Sequence, residues 1–315
     1  MGKIPVGETV AHAYGFAFRH FVKLLGVTWA PLVVAIALGL MVTPGFFGNH
    51  LSPTDHDAIA RQTLKLFPFL FVVSLVIRAM IATGVTELAL GQHTGPSFVY
   101  FSLGAAVWRF IGAWLLFMLV MLLVYIGLVI LMVIALVGGG FALKAVTLAP
   151  GMSQILVGVL VLACFLIFFG ALMFIAARLT FLIPPVVVVE KKVDLARGWQ
   201  LTHGNFWRIF IIGAAIFIPL IVVQCVFLFA IYGTGVLPQF GDVFRLITHH
   251  ATQAVIQQRV NALAEQMRAV TLAVWPYTSV ASVLIETLAY GLMYGACAFA
   301  YRALVPVSGA PSMRG

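Results

Sequence analysis

The chain has 315 residues, of which 63% are hydrophobic and only 9% charged, with a mean hydropathy of +1.12. A soluble domain carries roughly a quarter charged residues, so that class is excluded. The net charge of +9 does not point to nucleic acid, because the basic residues form no block and sit beside the ends of apolar runs, as in a membrane protein.

A helix needs about 20 apolar residues to cross the hydrocarbon core. Runs of at least that length lie near 21–42, 66–90, 110–137, 153–183, 207–236 and 272–304. They are continuously apolar rather than alternating in short segments, which predicts six transmembrane helices and not a barrel.

An aromatic amphipathic stretch leads into the first run. Tyr14, Phe16, Phe18 and Phe21 are interleaved with His12, Arg19, His20 and Lys23, a mixture suited to the headgroup layer. About twenty residues precede this run and no small-residue exit site follows it, so it is expected to stay as an anchor and not to be cleaved as a signal peptide. A polar outer loop near 43–65 leads to the second run, and Gly91 to Pro96 marks a boundary. A fainter copy of the entry pattern runs from Tyr100 through Trp108 and Arg109 into the third run. Gly138-Gly139-Gly140 and Pro150-Gly151 enclose a short loop before the fourth.

Pro184-Pro185 predicts the end of the fourth helix. Val186–Val189 then reads as extended, with Glu190-Lys191-Lys192 in water. The most specific stretch follows, Trp199-Gln200-Leu201-Thr202-His203-Gly204-Asn205-Phe206-Trp207-Arg208. At an offset of 185 residues it repeats the N-terminal entry, with Tyr14 opposite Trp199, His20 opposite Asn205 and Lys23 opposite Arg208. Gly204-Asn205 reads as a stop and restart, with Asn205 as N-cap of the fifth helix. Two readings of this elbow stand side by side. Lys191, Lys192, Arg197 and Arg208 can face lipid phosphates, at roughly 1 kcal/mol each. Alternatively Trp199 and Trp207 simply anchor the interface while Gly204 turns the chain.

The last outer loop, about 237–271, carries Ile256, Val260, Leu263, Met267 and Val270 at alternating four- and three-residue spacing. That is one stripe of a soluble helix and a candidate contact for a protein partner. Together the elements predict an all-α integral membrane protein with a single membrane domain over 1–315. It would consist of three tandem repeats of an interfacial helix plus a helical hairpin, about 1–92, 93–190 and 191–315, with a helical insertion at 237–271. With the N-terminus inside, 11 basic residues fall on the inner side and 6 on the outer, leaving out Arg78 within its span. Both termini are therefore expected in the cytoplasm and the insertion in the periplasm.

Ionisable residues within spans are functional candidates. Arg78 and Glu286 lie near the middle of spans two and six, and Glu87 nearer the inner end of span two. Nine residues separate Arg78 from Glu87, which puts them on opposite helix faces. Arg78 can meet Glu286 across two helices, and Glu87 can meet Arg178 or Arg302; the three read as structural pairs, as parts of a translocation or proton-coupling path, or as side chains that snorkel to the interface. His50, Asp55, His56, Asp57 and the His249-His250 pair lack metal-ligand spacing, so no metal or other cofactor is expected. Cys164, Cys225 and Cys297 fall in three different spans and read as buried packing residues. No motif of a hydrolase, phosphate loop or zinc enzyme is present.

The stretch Ala177-Arg178-Leu179-Thr180-Phe181-Leu182-Ile183-Pro184-Pro185-Val186-Val187-Val188-Val189-Glu190, followed by Ala196 to Arg208, resembles the membrane domain associated with bacterial glycerophosphodiester phosphodiesterases and related six-helix membrane proteins. Gly198 stands where that pattern has serine. The resemblance is close over about 175–225 and architectural elsewhere. It implies a multi-pass protein of the bacterial inner membrane. It does not imply phosphodiesterase activity, which belongs to a separate soluble domain for which the eleven residues after Leu304 leave no room. The expected role is a non-enzymatic lipid-interacting or accessory subunit, touching membrane lipids and binding a protein partner through 237–271 or its lipid-facing helices. The alternative is a transporter or channel for a small solute or lipid that uses Arg78 and Glu286.

Overall fold

Among the residues that the computed structural model describes, six helices are long and apolar enough to cross a membrane. The described residues are 2–42, 56–92, 103–145, 152–233, 237–248 and 252–305, and all regular structure among them is helical. This is the expected answer of a backbone that must satisfy its own polar groups in hydrocarbon. In chain order the helices are α1 (Val6–Arg19), α2 (Phe21–Val42), α3 (His56–Ala89), α4 (Ala105–Ala145) and α5 (Met152–Thr180). A single turn α6 (Ile183–Pro185) and a π-helical segment (Val186–Glu190) come next, then α7 (Leu195–Leu201), α8 (Phe206–Tyr232), α9 (Leu237–Thr248) and α10 (Gln253–Leu304). The candidate spans are α2, α3, α4, α5 with its π-helical extension, α8 and α10.

Several boundaries differ from the sequence expectation. Val186–Val189 is π-helical, not extended, because Pro184 and Pro185 occupy the first turn of α6, where a missing N–H breaks no helical bond. Glu190 is half-buried and engaged, not in water, and Lys191 ends the segment in the left-handed conformation at φ 54°. Trp108 and Arg109 lie inside α4, so the second copy has no separate entry helix among residues 103–111; Tyr100 falls outside the described residues. The insertion helix and the sixth span are one helix, α10, which runs through Trp275-Pro276 without a stop. An internal proline is tolerated in a membrane helix, and just beyond it the Thr278 hydroxyl donates to the Trp275 carbonyl at 2.9 Å.

The described chain forms two compact units. One comprises the N-terminal residues to Val6, Gly104–Ile211 and the chain from Cys297 onward. In it α4 and α5 pack as a hairpin, with Tyr125 edge-on to Phe168 at 5.7 Å. The most apolar stretch of each contains no buried residue. Its core lies at the other end of the hairpin, where Val107 and Phe110 of α4 are buried along with Leu182, Ile183, Val186, Val187, Leu195 and Tyr301.

The other unit comprises Gly7–Leu103 and Ile212–Ala296. The α2–α3 hairpin packs there with α1 and most of α10. Residues Ala79–Thr86 of α3 are buried on every side, as are Ala13, Phe16 and Ala17 of α1 and Leu24, Val27 and Thr28 of α2. Close approach is permitted by Gly291 and Gly295 of α10. A Cβ at Gly291 would stand 2.7 Å from Cδ1 of Leu24, and one at Gly295 would stand 2.9 Å from Cδ1 of Phe16. Thr28 and Thr287 share a buried hydrogen bond of 2.6 Å between α2 and α10, and the Tyr14 hydroxyl donates to the Ala215 carbonyl at 3.0 Å.

In the same unit α9 meets the first turns of α10 through polar groups. Arg259 donates to Asp242 at 2.8 Å, and Gln239 bonds Gln266. This changes the reading of the partner stripe. Leu263 is buried, lying between Arg259 and Gln266 on the face turned to α9, while Ile256 and Met267 are half-covered and only Val260 points outward. α9 adds a further exposed apolar face, where Phe240, Phe244 and Ile247 fall on one side.

Candidate functional site

The elbow between the fourth and fifth spans is built from its charged side chains inward. Arg178, at the end of α5, is buried, and its guanidinium carbon lies 3.7 Å from the Trp199 ring centroid. Its Nη2 donates to the Trp199 carbonyl at 2.9 Å. A flat, delocalised cation can stack on an indole and still donate in its own plane, which a lysine cannot do. The Thr202 hydroxyl sits 2.9 Å from the Gly198 carbonyl and 3.1 Å from those of Arg178 and Trp199, so its one proton ties the end of α7 to the end of α5. Asp194 caps α7 by accepting from the Arg197 N–H at 2.9 Å.

Glu190 is the hub of the next layer. One carboxylate oxygen, Oε1, accepts from the Tyr301 hydroxyl at 2.9 Å and from Arg197 Nε at 3.1 Å. Gly204 then turns the chain at φ +73°, and α8 starts at Phe206 as expected. Asn205 is in the N-cap position, since its carbonyl accepts the first helical bond from Ile209. Its side chain, however, serves the N-terminal segment of the chain. Oδ1 accepts from the Ile4 N–H at 3.1 Å and Nδ2 donates to the Gly2 carbonyl at 3.2 Å. Arg208, one turn on, donates to the Ile4 carbonyl at 2.7 Å. Ile4 is fully buried, and its backbone groups need such partners.

The eight elbow candidates therefore divide. Arg197, Trp199, Asn205 and Arg208 are turned to partners within the unit, and Gly204 makes the turn. Lys191, Lys192 and Trp207 are exposed. Trp207 is 70% exposed and continues into exposed Phe210 and Ile211, an aromatic and aliphatic face suited to the membrane interface. Sequence reading quoted Arg178, Glu190 and Thr202 only as parts of the resembled stretch, with Arg178 also a cation for Glu87, and did not single out Tyr301 or the Gly2–Ile4 segment. Their contacts reach 21 to 111 residues for Arg178, Thr202 and Tyr301, and about 200 for Ile4, so no local pattern gives the pairings. Gly198 leaves room for a Cβ 3.5 Å from the Leu179 carbonyl, an ordinary contact, so the serine of the resembled pattern fits this geometry.

The second polar constellation lies in the other unit. Arg78 of α3 acts electrostatically on Glu286 of α10, and both act on Tyr290 one turn further along α10. Arg78 and Glu286 lie on the outside of the helix packing, and Glu87 is half-buried on the opposite face of α3 from Arg78. Charges at that depth in a bilayer require each other, water or another chain. Of the three cysteines, Cys297 is buried, Cys164 is half-covered, and Cys225 is exposed on α8, so only one of them is a core residue. His50, Asp55, His249 and His250 lie outside the described residues. No family model, curated protein or solved structure matches the chain.

Proposed function

We propose that the chain is a non-enzymatic multi-pass protein of the bacterial inner membrane, an accessory or scaffold subunit that contacts anionic lipid at its elbow and a protein partner in the bilayer. The observation that carries this reading is the α4–α5 hairpin, whose most apolar stretches bury no residue. Such a hairpin presents its full perimeter to the bilayer and to other helices, which associate there by close packing rather than by hydrophobic force. Lys191, Lys192 and Trp207 supply exposed cations and an aromatic suited to the interface. The tandem-repeat reading is supported by the starts of α2 at Phe21 and α8 at Phe206, which keep the 185-residue offset. Both termini in the cytoplasm, no cofactor and kinship with the membrane domain of the phosphodiesterase-associated proteins belong to the same proposal.

The test is capture of the tagged full chain from its own membranes in mild detergent. A partner recovered in fixed ratio should be lost in the Leu123→Ala/Ile130→Ala/Ile134→Ala variant, which thins one exposed face of α4 while keeping it apolar. Recovery unchanged by that variant and by deletion of 240–270 would remove the scaffold reading. The second reading, a transporter or channel, is favoured by the Arg78–Glu286–Tyr290 cluster. It requires solute flux in vesicles that Arg78→Ala and Glu286→Ala each abolish.

A further inference from the structure

Beside the Thr28–Thr287 contact, α2 and α10 leave a groove of about 700 Å³ between them. It follows α2 from Val22 past Trp29 and Val33 to Leu40, and its other wall includes Trp275 and Val283 of α10. Apart from Ser279, its lining residues are apolar. From Val22 to Leu40 a helix rises about 27 Å, so the groove is an elongated apolar furrow, and a methylene chain laid along it can make carbon–carbon contacts of about 3.5–4.0 Å with both walls.

Charge identifies which lipid. At the Val22 end, Arg19 closes α1 and Lys23 lies in the first turn of α2, both exposed. No acidic residue occurs in the sequence between Glu8 and Asp55. We propose that the groove holds an acyl chain of an anionic phospholipid from the leaflet facing the N-terminus, with its phosphate between Arg19 and Lys23. This deepens the lipid-contact part of the function proposed above and needs from it only that the chain lies in a bilayer. Two cations at the phosphate give a preference for an anionic headgroup of at most about 30-fold.

The purified full chain is mixed with phosphatidylglycerol or phosphatidylcholine and analysed by native mass spectrometry. One retained phosphatidylglycerol is expected, and Arg19→Gln/Lys23→Gln should reduce its advantage over phosphatidylcholine at least tenfold. Val33→Trp and Val280→Trp fill the groove from its two walls at exposed positions, and each should cut retention of both lipids at least fivefold. Val72→Trp, exposed on α3 outside the groove, should leave retention unchanged. Because a wall variant can misfold, a photoreactive residue at position 33 is read as well, in native membranes. An adduct of lipid mass supports the proposal. Retention unmoved by both wall variants, or an adduct of protein mass, overturns it. A wild-type chain that retains lipid but captures no protein partner sinks the scaffold reading alone, and the reverse pattern sinks the groove alone.

Discussion

Asn205 shows how one side chain can serve two elements. Its backbone starts α8, while its amide gives the N-terminal segment both an acceptor and a donor. In Asn205→Ala the buried Ile4 N–H loses its acceptor, while the Gly2 carbonyl, on an exposed residue, can turn to water; an unsatisfied buried group costs about 1–3 kcal/mol. The expected outcome is a lower unfolding temperature in detergent and faster proteolysis near residue 4. Arg208→Ala should act in the same direction through the Ile4 carbonyl. Both variants release one segment, so their combination should cost less than the two losses added. Equal unfolding temperatures for wild type and Asn205→Ala would show that the strap contributes nothing to stability.

The lesson for elements lies in the contact of α10 with α1 and α2. Gly291 and Gly295 are one turn apart and meet Leu24 and Phe16. Gly291→Ala requires only the end of the Leu24 side chain to swing, so its effect should be small. Gly291→Leu must displace Ala17 as well, and overpacking of this kind costs about 1–3 kcal/mol. Thermal unfolding of the two variants side by side checks this, and an undisturbed Gly291→Leu protein would mean that the helices do not approach as described. The starts of α2 and α8 were legible before any contact was known, because caps and turns are local. Phe21 and Phe206 begin α2 and α8, and Gly204 turns the chain before α8. The π-helical valine run was not legible. Two prolines read as a stop in isolation, yet they fit the first turn of a helix that continues.

For the whole molecule, the sequence reading makes a test of sidedness. With the native cysteines replaced by serine, His12→Cys and His203→Cys should react with an impermeant thiol reagent from the same face of the membrane, and Gln257→Cys from the opposite one. All three positions are exposed. Labelling of positions 12 and 203 from opposite faces would break the repeat reading, because an even number of spans must separate them. The sequence by itself determined that the chain is helical and has six membrane-length apolar segments, since hydropathy and segment length are properties of contiguous residues. Only the tertiary structure decided that Arg178 stacks on Trp199, that Glu190 gathers Tyr301 and Arg197, and that of the elbow cations Lys191 and Lys192 stay outward. The physical reason is distance along the chain: a charged side chain looks the same in sequence whether it meets lipid or a partner, and that partner stands as far as 204 residues away.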